Sequence, residues 1–295
     1  MKNCVFHGAC TALVTPFRDG YINYCALDRL LERQISAGID AVVICGTTGE
    51  SSTLTASEKI ELFRHTARFA GGRCKVIAGT GGNCTKSAVE LSEAACESGV
   101  DGLLCVTPYY NKCTQDGLRR HFEAIADRST LPVILYNVPS RTAVSISPQT
   151  CRELSEHPNI IGIKEADPDV AKVSRIRNLC GNDFHVFCGN DDRIVAFYAA
   201  GAEGVISVFG NLYPKKLKEL TDLCENSAYK KAEALQTAYL PLMDALFCAP
   251  NPIPVKAAMN LCGMDVGGCR LPLTDLSEDQ KKILKELLSR QDIVS

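Results

Sequence analysis

Short uninterrupted apolar runs recur along the chain, separated by longer stretches in which apolar residues return every three or four positions. The runs span residues 10–15, 41–45, 76–79, 102–106, 133–136, 160–164, 185–188 and 204–207. The stretches between them, clearest at 27–37, 57–70, 87–98 and 117–127, have the period of an amphipathic helix. An apolar run without alternation predicts a strand buried on both faces, and its repeated pairing with a helix predicts βα units and a parallel sheet. Eight such runs are the number that closes a (β/α)8 TIM barrel.

Beyond Asn211 the strand pattern stops, and residues 228–247 and 279–288 read as helices around a proline-rich crossing from Pro250 to Pro254. This predicts a barrel domain over residues 1–226 and a C-terminal helical extension over 227–295, packed on the barrel. No low-complexity linker separates the two.

With 295 residues and 46% hydrophobic content, the chain can bury a core of that size. Its 32 basic and 34 acidic side chains give a charge of -2, with no basic stripe to neutralise a nucleic-acid backbone, so small-molecule chemistry is expected. His7, Gly8 and Cys10 interrupt the apolar N-terminal stretch, which does not read as a secretion signal, and no run has membrane-spanning length. The 16 cysteines are scattered without a C-x-x-C pair, and several sit inside apolar runs, the usage of a reducing cytoplasm.

In a closed parallel barrel, chemistry collects at the C-terminal ends of the strands. The sixth run, Ile160-Ile161-Gly162-Ile163-Lys164-Glu165, carries a lysine to that end. Burial there disfavours an ammonium and leaves a neutral amine able to form a Schiff base with a ketone. The competing reading is a lysine paired with Glu165 or Asp191, holding only the barrel mouth together. The neighbouring run leads into Tyr136-Asn137-Val138-Pro139-Ser140-Arg141-Thr142. Tyr136 can donate and accept a proton, and Arg141, placed in the loop beyond, can grip a carboxylate with two N–H groups. Taken singly, the tyrosine also fits a packed core aromatic and the arginine a solvated charge.

The second run opens into Gly46-Thr47-Thr48-Gly49-Glu50-Ser51, where free N–H groups and two hydroxyls make a carboxylate seat. The fourth continues as Thr107-Pro108-Tyr109-Tyr110-Asn111, two phenols that suit either the site or an interface. Gly79-Thr80-Gly81-Gly82 lacks the third glycine of a dinucleotide fingerprint, and Asp191 and Asp192 sit where barrels often bind phosphate. The five histidines show no close helical pair, so no metal site is expected, and the G-x-S-x-G elbow of serine hydrolases is absent.

Taken together, GTTGES (46–51), TPYYN (107–111), YNVPSRT (136–142) and GIKEA (162–166) resemble the 4-hydroxy-tetrahydrodipicolinate synthase family, formerly called dihydrodipicolinate synthase. GVISV (204–208) and NPIPVK (251–256) carry the resemblance across nearly the whole chain. It implies a lyase of lysine and diaminopimelate biosynthesis that condenses pyruvate with L-aspartate 4-semialdehyde and releases water. Lys164 would form the pyruvate imine, so no external cofactor is expected. By the same resemblance Thr47, Tyr110 and Tyr136 form a proton relay, with Tyr110 entering a neighbouring subunit's site. Gly46, Thr48 and the carbonyl of Ile206 hold pyruvate, and Arg141 binds the carboxylate of the aldehyde. A homotetramer built as a dimer of dimers is the implied assembly.

Many members of that family are inhibited by lysine, and here the chain keeps Ser51, Asn83 and Tyr109 of the effector site. It departs at Ala56, Lys59 and Ser87, which stand where two histidines and a glutamate are usual. A cationic effector would face Lys59, so weak or absent inhibition is expected. Two other functions remain open. A sister Schiff-base aldolase, acting on N-acetylneuraminate or a 2-keto-3-deoxy sugar acid, shares Lys164 and Tyr136. A non-catalytic barrel that binds a keto acid would need Lys164 charged and unreactive.

Overall fold

A computed structural model describes residues 2 and 4–290. Eight parallel strands close into a barrel: β1 (Gly8–Ala12), β4 (Ala41–Ile44), β5 (Lys75–Gly79), β6 (Gly102–Val106), β7 (Val133–Asn137), β8 (Ile160–Glu165), β9 (His185–Cys188) and β10 (Gly204–Ser207). Closure comes from β1, which pairs with β4 on one side and β10 on the other. The apolar run near the N-terminus extends further than the strand it forms, because the chain leaves the sheet after Ala12. A small antiparallel hairpin, β2 (Phe17–Arg18) and β3 (Tyr21–Ile22), follows; its two-residue strands are too short for a sequence pattern to reveal.

Helices α1 (Tyr24–Ser36), α2 (Ala56–Ala70), α3 (Thr85–Cys96), α4 (Gln115–Arg128), the short α5 (Pro139–Thr142), α6 (Pro148–Leu154), α7 (Val170–Cys180), α8 (Ile194–Ala199) and α9 (Pro214–Glu225) occupy the crossovers and the turn after β10. The caps explain the boundaries. Thr55 and Glu58 form a reciprocal capping box at α2, and Gly71 ends that helix in the left-handed region that an L side chain resists. Three further helices follow among the described residues: α10 (Tyr229–Ala245), α11 (Ile253–Leu261) and α12 (Glu278–Ser289). The stretch from Pro250 to Pro254, read from sequence as a plain crossing, already contains the first turn of α11, where a proline's missing N–H costs no hydrogen bond. No helix among the described residues is long and apolar enough to cross a membrane.

Alternation along each strand splits the core in two. Val42 and Ile44 face the helical layer, whereas Ala41 and Val43 fill the barrel with Cys10, Ile77, Leu104, Ile134 and Phe187. Burial pushes the thiols of Cys10 and Cys45 well up, so these cysteines serve as small apolar fillers.

One irregularity matters for the site. Between β7 and β8, Val133 pairs with Ile160 but Ile134 pairs with Gly162, so Ile161 is an extra residue, a β-bulge. Ile160 faces the helices, and strict alternation would send residue 164 the same way. The bulge shifts the phase by one. Lys164 therefore turns inward beside Tyr136, its register partner. Gly162 makes this packing possible, since a Cβ there would lie 2.3 Å from the carbonyl oxygen of His185.

Candidate active site

Lys164 and Tyr136 end adjacent strands at the C-terminal mouth of the barrel. Lys164 Nζ lies over the tyrosine ring, 4.4 Å from its centroid, and the lysine is only 6% exposed. Glycine at position 189 leaves room for this, because a Cβ there would come within 3.1 Å of Lys164 Cε. Neither carboxylate proposed as a structural partner for Lys164 takes that role. Glu165 points outward, pairs with Lys172 at 3.1 Å, and accepts from Asn137 Nδ2 and the Asp167 amide, both at 2.7 Å. Asp191 accepts the amides of Val208 and Phe209 at 2.9 and 2.8 Å. Burial holds both carboxyls above their usual range, opposed by Lys172 at Glu165 and by Ser207 and the two amides at Asp191.

The outward pair has a consequence for the inward one. Asn137 and Glu165 are register partners, as are Tyr136 and Lys164 one residue earlier. Their side-chain bond therefore pins the two strand ends that carry the phenol and the amine. Sequence reading had no signal for it, because both residues sit in motifs whose neighbours seemed to carry the chemistry.

A cavity of about 410 Å³ opens above Lys164, and Gly46, Thr47, Thr48, Tyr136 and Arg141 share its wall. The Gly46–Gly49 turn packs tightly on β5, where a Cβ on Gly79 would stand 2.3 Å from the Cys45 carbonyl oxygen. Arg141 sits on the one-turn helix α5 rather than in an open loop, since Pro139 starts a helical turn directly after β7. Thr142, from the same turn, accepts a hydrogen bond from Thr107 Oγ1 at 2.9 Å and so joins the fourth and fifth strand ends. Ile206 lies on β10 with its side chain in the barrel core.

Tyr110 stands apart. It is 93% exposed, and its backbone is left-handed, with φ of 73°. Within one chain it does not join the cavity around Lys164. Tyr109 and Ser51 line a smaller adjoining cavity of about 220 Å³ that shares Thr47, Tyr136 and Arg141 with the larger one. Asn83 borders neither cavity; its carbonyl accepts from Asn111 Nδ2 at 2.8 Å.

Two contributors to the cavity wall were missed in sequence. Asn251 belongs to a motif noted for its resemblance but not for its chemistry, and it donates from Nδ2 to Thr48 Oγ1 at 2.9 Å. Gly189 is visible only through the space it leaves. Among the described residues, Cys4, His7 and Glu203 are the one set of potential metal ligands grouped closely, within 4.8 Å of one another, and they lie at the opposite mouth, where β9 and β10 begin.

The geometry suits a reaction in which an amine captures a ketone beside a phenol, with hydroxyls and an arginine arranged for anionic groups. Comparison with known proteins agrees. A sequence profile described as the dihydrodipicolinate synthetase family matches residues 5–291. A 4-hydroxy-tetrahydrodipicolinate synthase from Acetivibrio thermocellus is 47% identical over 294 residues, covering 100% of both chains. One from Thermoanaerobacter sp. is 46% identical over 98% of each chain. The crystal structure of dihydrodipicolinate synthase from Aquifex aeolicus superposes with a TM-score of 0.96 at 43% identity, covering 98% of this chain and 99% of that one. With fold, site geometry and full-length likeness in accord, this chain belongs to the dihydrodipicolinate synthetase family.

Proposed function

We propose that this chain is a lyase that condenses pyruvate with L-aspartate 4-semialdehyde to 4-hydroxy-tetrahydrodipicolinate, on the route to diaminopimelate and lysine. The observation that carries the reading is Lys164, a buried amine without an ion-pair partner among the described residues, set over the Tyr136 ring at the floor of a polar-walled cavity. Lys164 Nζ attacks C2 of pyruvate, and the resulting carbinolamine loses water to give an imine. The imine draws electrons from the neighbouring methyl group, which loses a proton and becomes an enamine. The enamine carbon attacks the aldehyde. The amino group of the aldehyde substrate then displaces Lys164 from C2, closing the ring and freeing the enzyme.

Tyr136, Thr47 and Tyr110 move the protons in this scheme, and Gly46, Thr48 and the carbonyl of Ile206 hold the pyruvate carboxylate and imine. Arg141 binds the carboxylate of the aldehyde. The imine supplies the electron sink, so the scheme needs no dissociable cofactor and no metal. Exposure of Tyr110 in a single chain supports an assembly in which it enters a second subunit's site, in a homotetramer formed from two tight dimers. The reading places the enzyme in the cytoplasm with its small-molecule substrates, without nucleic-acid or membrane partners.

Borohydride reduction in the presence of pyruvate, followed by peptide mass mapping, tests the scheme together with an aldehyde-dependent condensation assay. A pyruvate adduct on Lys164 with condensation is the expected result. An adduct without condensation would favour a sugar-acid aldolase, and absence of any adduct would reject imine chemistry. Lysine at physiological concentration is expected to leave the rate nearly unchanged. The usual glutamate reads Ser87, which removes an acidic partner for the cationic effector, and the partly buried Lys59, standing where a histidine is usual, adds a like charge. A clear inhibition curve in that range would refute this.

A further inference from the structure

The link between α10 and α11 covers one side of the barrel mouth, and one residue in it reaches two members of the proposed site. Asn251 Nδ2 donates to Thr48 Oγ1 at 2.9 Å, and the Asn251 carbonyl accepts from Arg141 Nη2 at 3.4 Å. Asn251 and Thr48 are both buried, and both line the cavity that holds Lys164. The link is held from behind by α11, whose Lys256 reaches Glu50 in the same turn that carries Thr48.

A hydroxyl offers one proton and two lone pairs. Where an amide N–H occupies a lone pair of Thr48, the hydroxyl proton is left for another acceptor. A carboxylate can only accept. The sense of this one hydrogen bond therefore decides whether the wall greets an anion with a proton or with a lone pair.

We propose that Asn251 is a positioning residue that commits the Thr48 hydroxyl proton to the carboxylate of the bound keto acid, while its carbonyl steadies Arg141 for the carboxylate of the second substrate. This rests on the function proposed above and names a residue it did not assign. Asn251 touches no reacting atom; it acts through Thr48 and Arg141.

The test is a double-mutant cycle in the full-length enzyme, with pyruvate and the aldehyde as probes. Asn251→Ala and Thr48→Val are each expected to lower kcat/KM for pyruvate by roughly ten- to a hundredfold, the range for one hydrogen bond to a charged group. In the Thr48→Val background, Asn251→Ala should change it by less than about threefold, because the atom through which it acts is gone. A residue that only stabilised the fold would cost the same in both backgrounds. Asn251→Leu is close in size, neutral and unable to donate, so it should lose as much as Asn251→Ala, and it carries the same comparison where the alanine variant does not fold. Multiplying losses, or wild-type pyruvate kinetics in Asn251→Ala, would overturn the role of Asn251. Borohydride labelling of the wild type keeps the two levels apart: no adduct rejects the function itself, whereas a normal adduct with an additive cycle rejects only this inference.

Discussion

Removing the Lys256 ammonium is the sharpest test of how the C-terminal helices hold the catalytic mouth. Its Nζ lies 2.5 Å from Glu50 Oε1 and 2.8 Å from the Gly268 carbonyl, and 4.3 Å from the centre of the Phe17 ring. The side chains are 2% and 0% exposed, so water cannot replace either partner. Burial pulls the Lys256 pKa below its usual range, and Glu50 opposes that pull. In Lys256→Met the methylene packing survives while the carboxylate is left with the Arg270 amide, 2.8 Å from Oε2. Stranding one member of a buried pair costs about 3–5 kcal/mol. For a large domain, about 2–4 °C is lost per kcal/mol, so the melting temperature should fall by roughly 6–20 °C. Replacing both charges, as in Glu50→Gln with Lys256→Met, should recover much of that loss, because no buried charge remains unpaired. Thermal unfolding followed by circular dichroism reads both variants. A single variant melting within about 2 °C of wild type, or a double variant as unstable as the sum of its parts, would refute the reasoning.

Tyr136→Phe keeps the ring beneath Lys164 Nζ but removes the proton carrier, so borohydride trapping and turnover should slow by about 10²–10⁴-fold with the fold intact; a loss under about threefold would exclude a proton role. Gly162→Ala drives a Cβ to 2.3 Å from the His185 carbonyl oxygen and should force the bulge to shift, costing about 1–3 kcal/mol and lowering pyruvate labelling of Lys164. Wild-type stability and labelling in that variant would show that the bulge tolerates a side chain. At the opposite mouth, burial pulls the His185 imidazole down, but bonds to Cys4 and Glu203 overcome it and hold the pKa at about 10. A folded pKa raised above the unfolded value of about 6.5 stabilises fully below that pH, and the contribution is lost as pH rises toward about 10. Urea midpoints should therefore fall from pH 6 to pH 10 more steeply in wild type than in His185→Gln, and parallel profiles would count against the pairing.

The strand ends of the barrel were legible from residue order because each is an uninterrupted apolar run followed by polar residues. Runs 102–106, 185–188 and 204–207 coincide with β6, β9 and β10 residue for residue. Features that rest on short elements were not legible. The hairpin near Phe17, the single turn carrying Arg141 and the start of α11 each contain too few residues for a period to emerge. Asn251 was hidden for a different reason, since the position it acts on lies 203 residues away in the chain.

Apolar periodicity by itself determined the eight βα units, because burial on both faces and a helical return are local demands that each segment states in its own residues. The motifs likewise named Lys164, Tyr136, Thr47, Thr48 and Arg141 as candidates. Only the tertiary structure decided which way Lys164 faces: a one-residue bulge, defined by pairing with the neighbouring strand, turns it from the helical layer into the barrel. It also decided that Glu165 pairs with Lys172 and that Asp191 Oδ2 takes two backbone amides, so that among the described residues neither carboxylate forms an ion pair with Lys164. Those outcomes depend on register and on contacts between distant segments, which no single stretch of sequence contains.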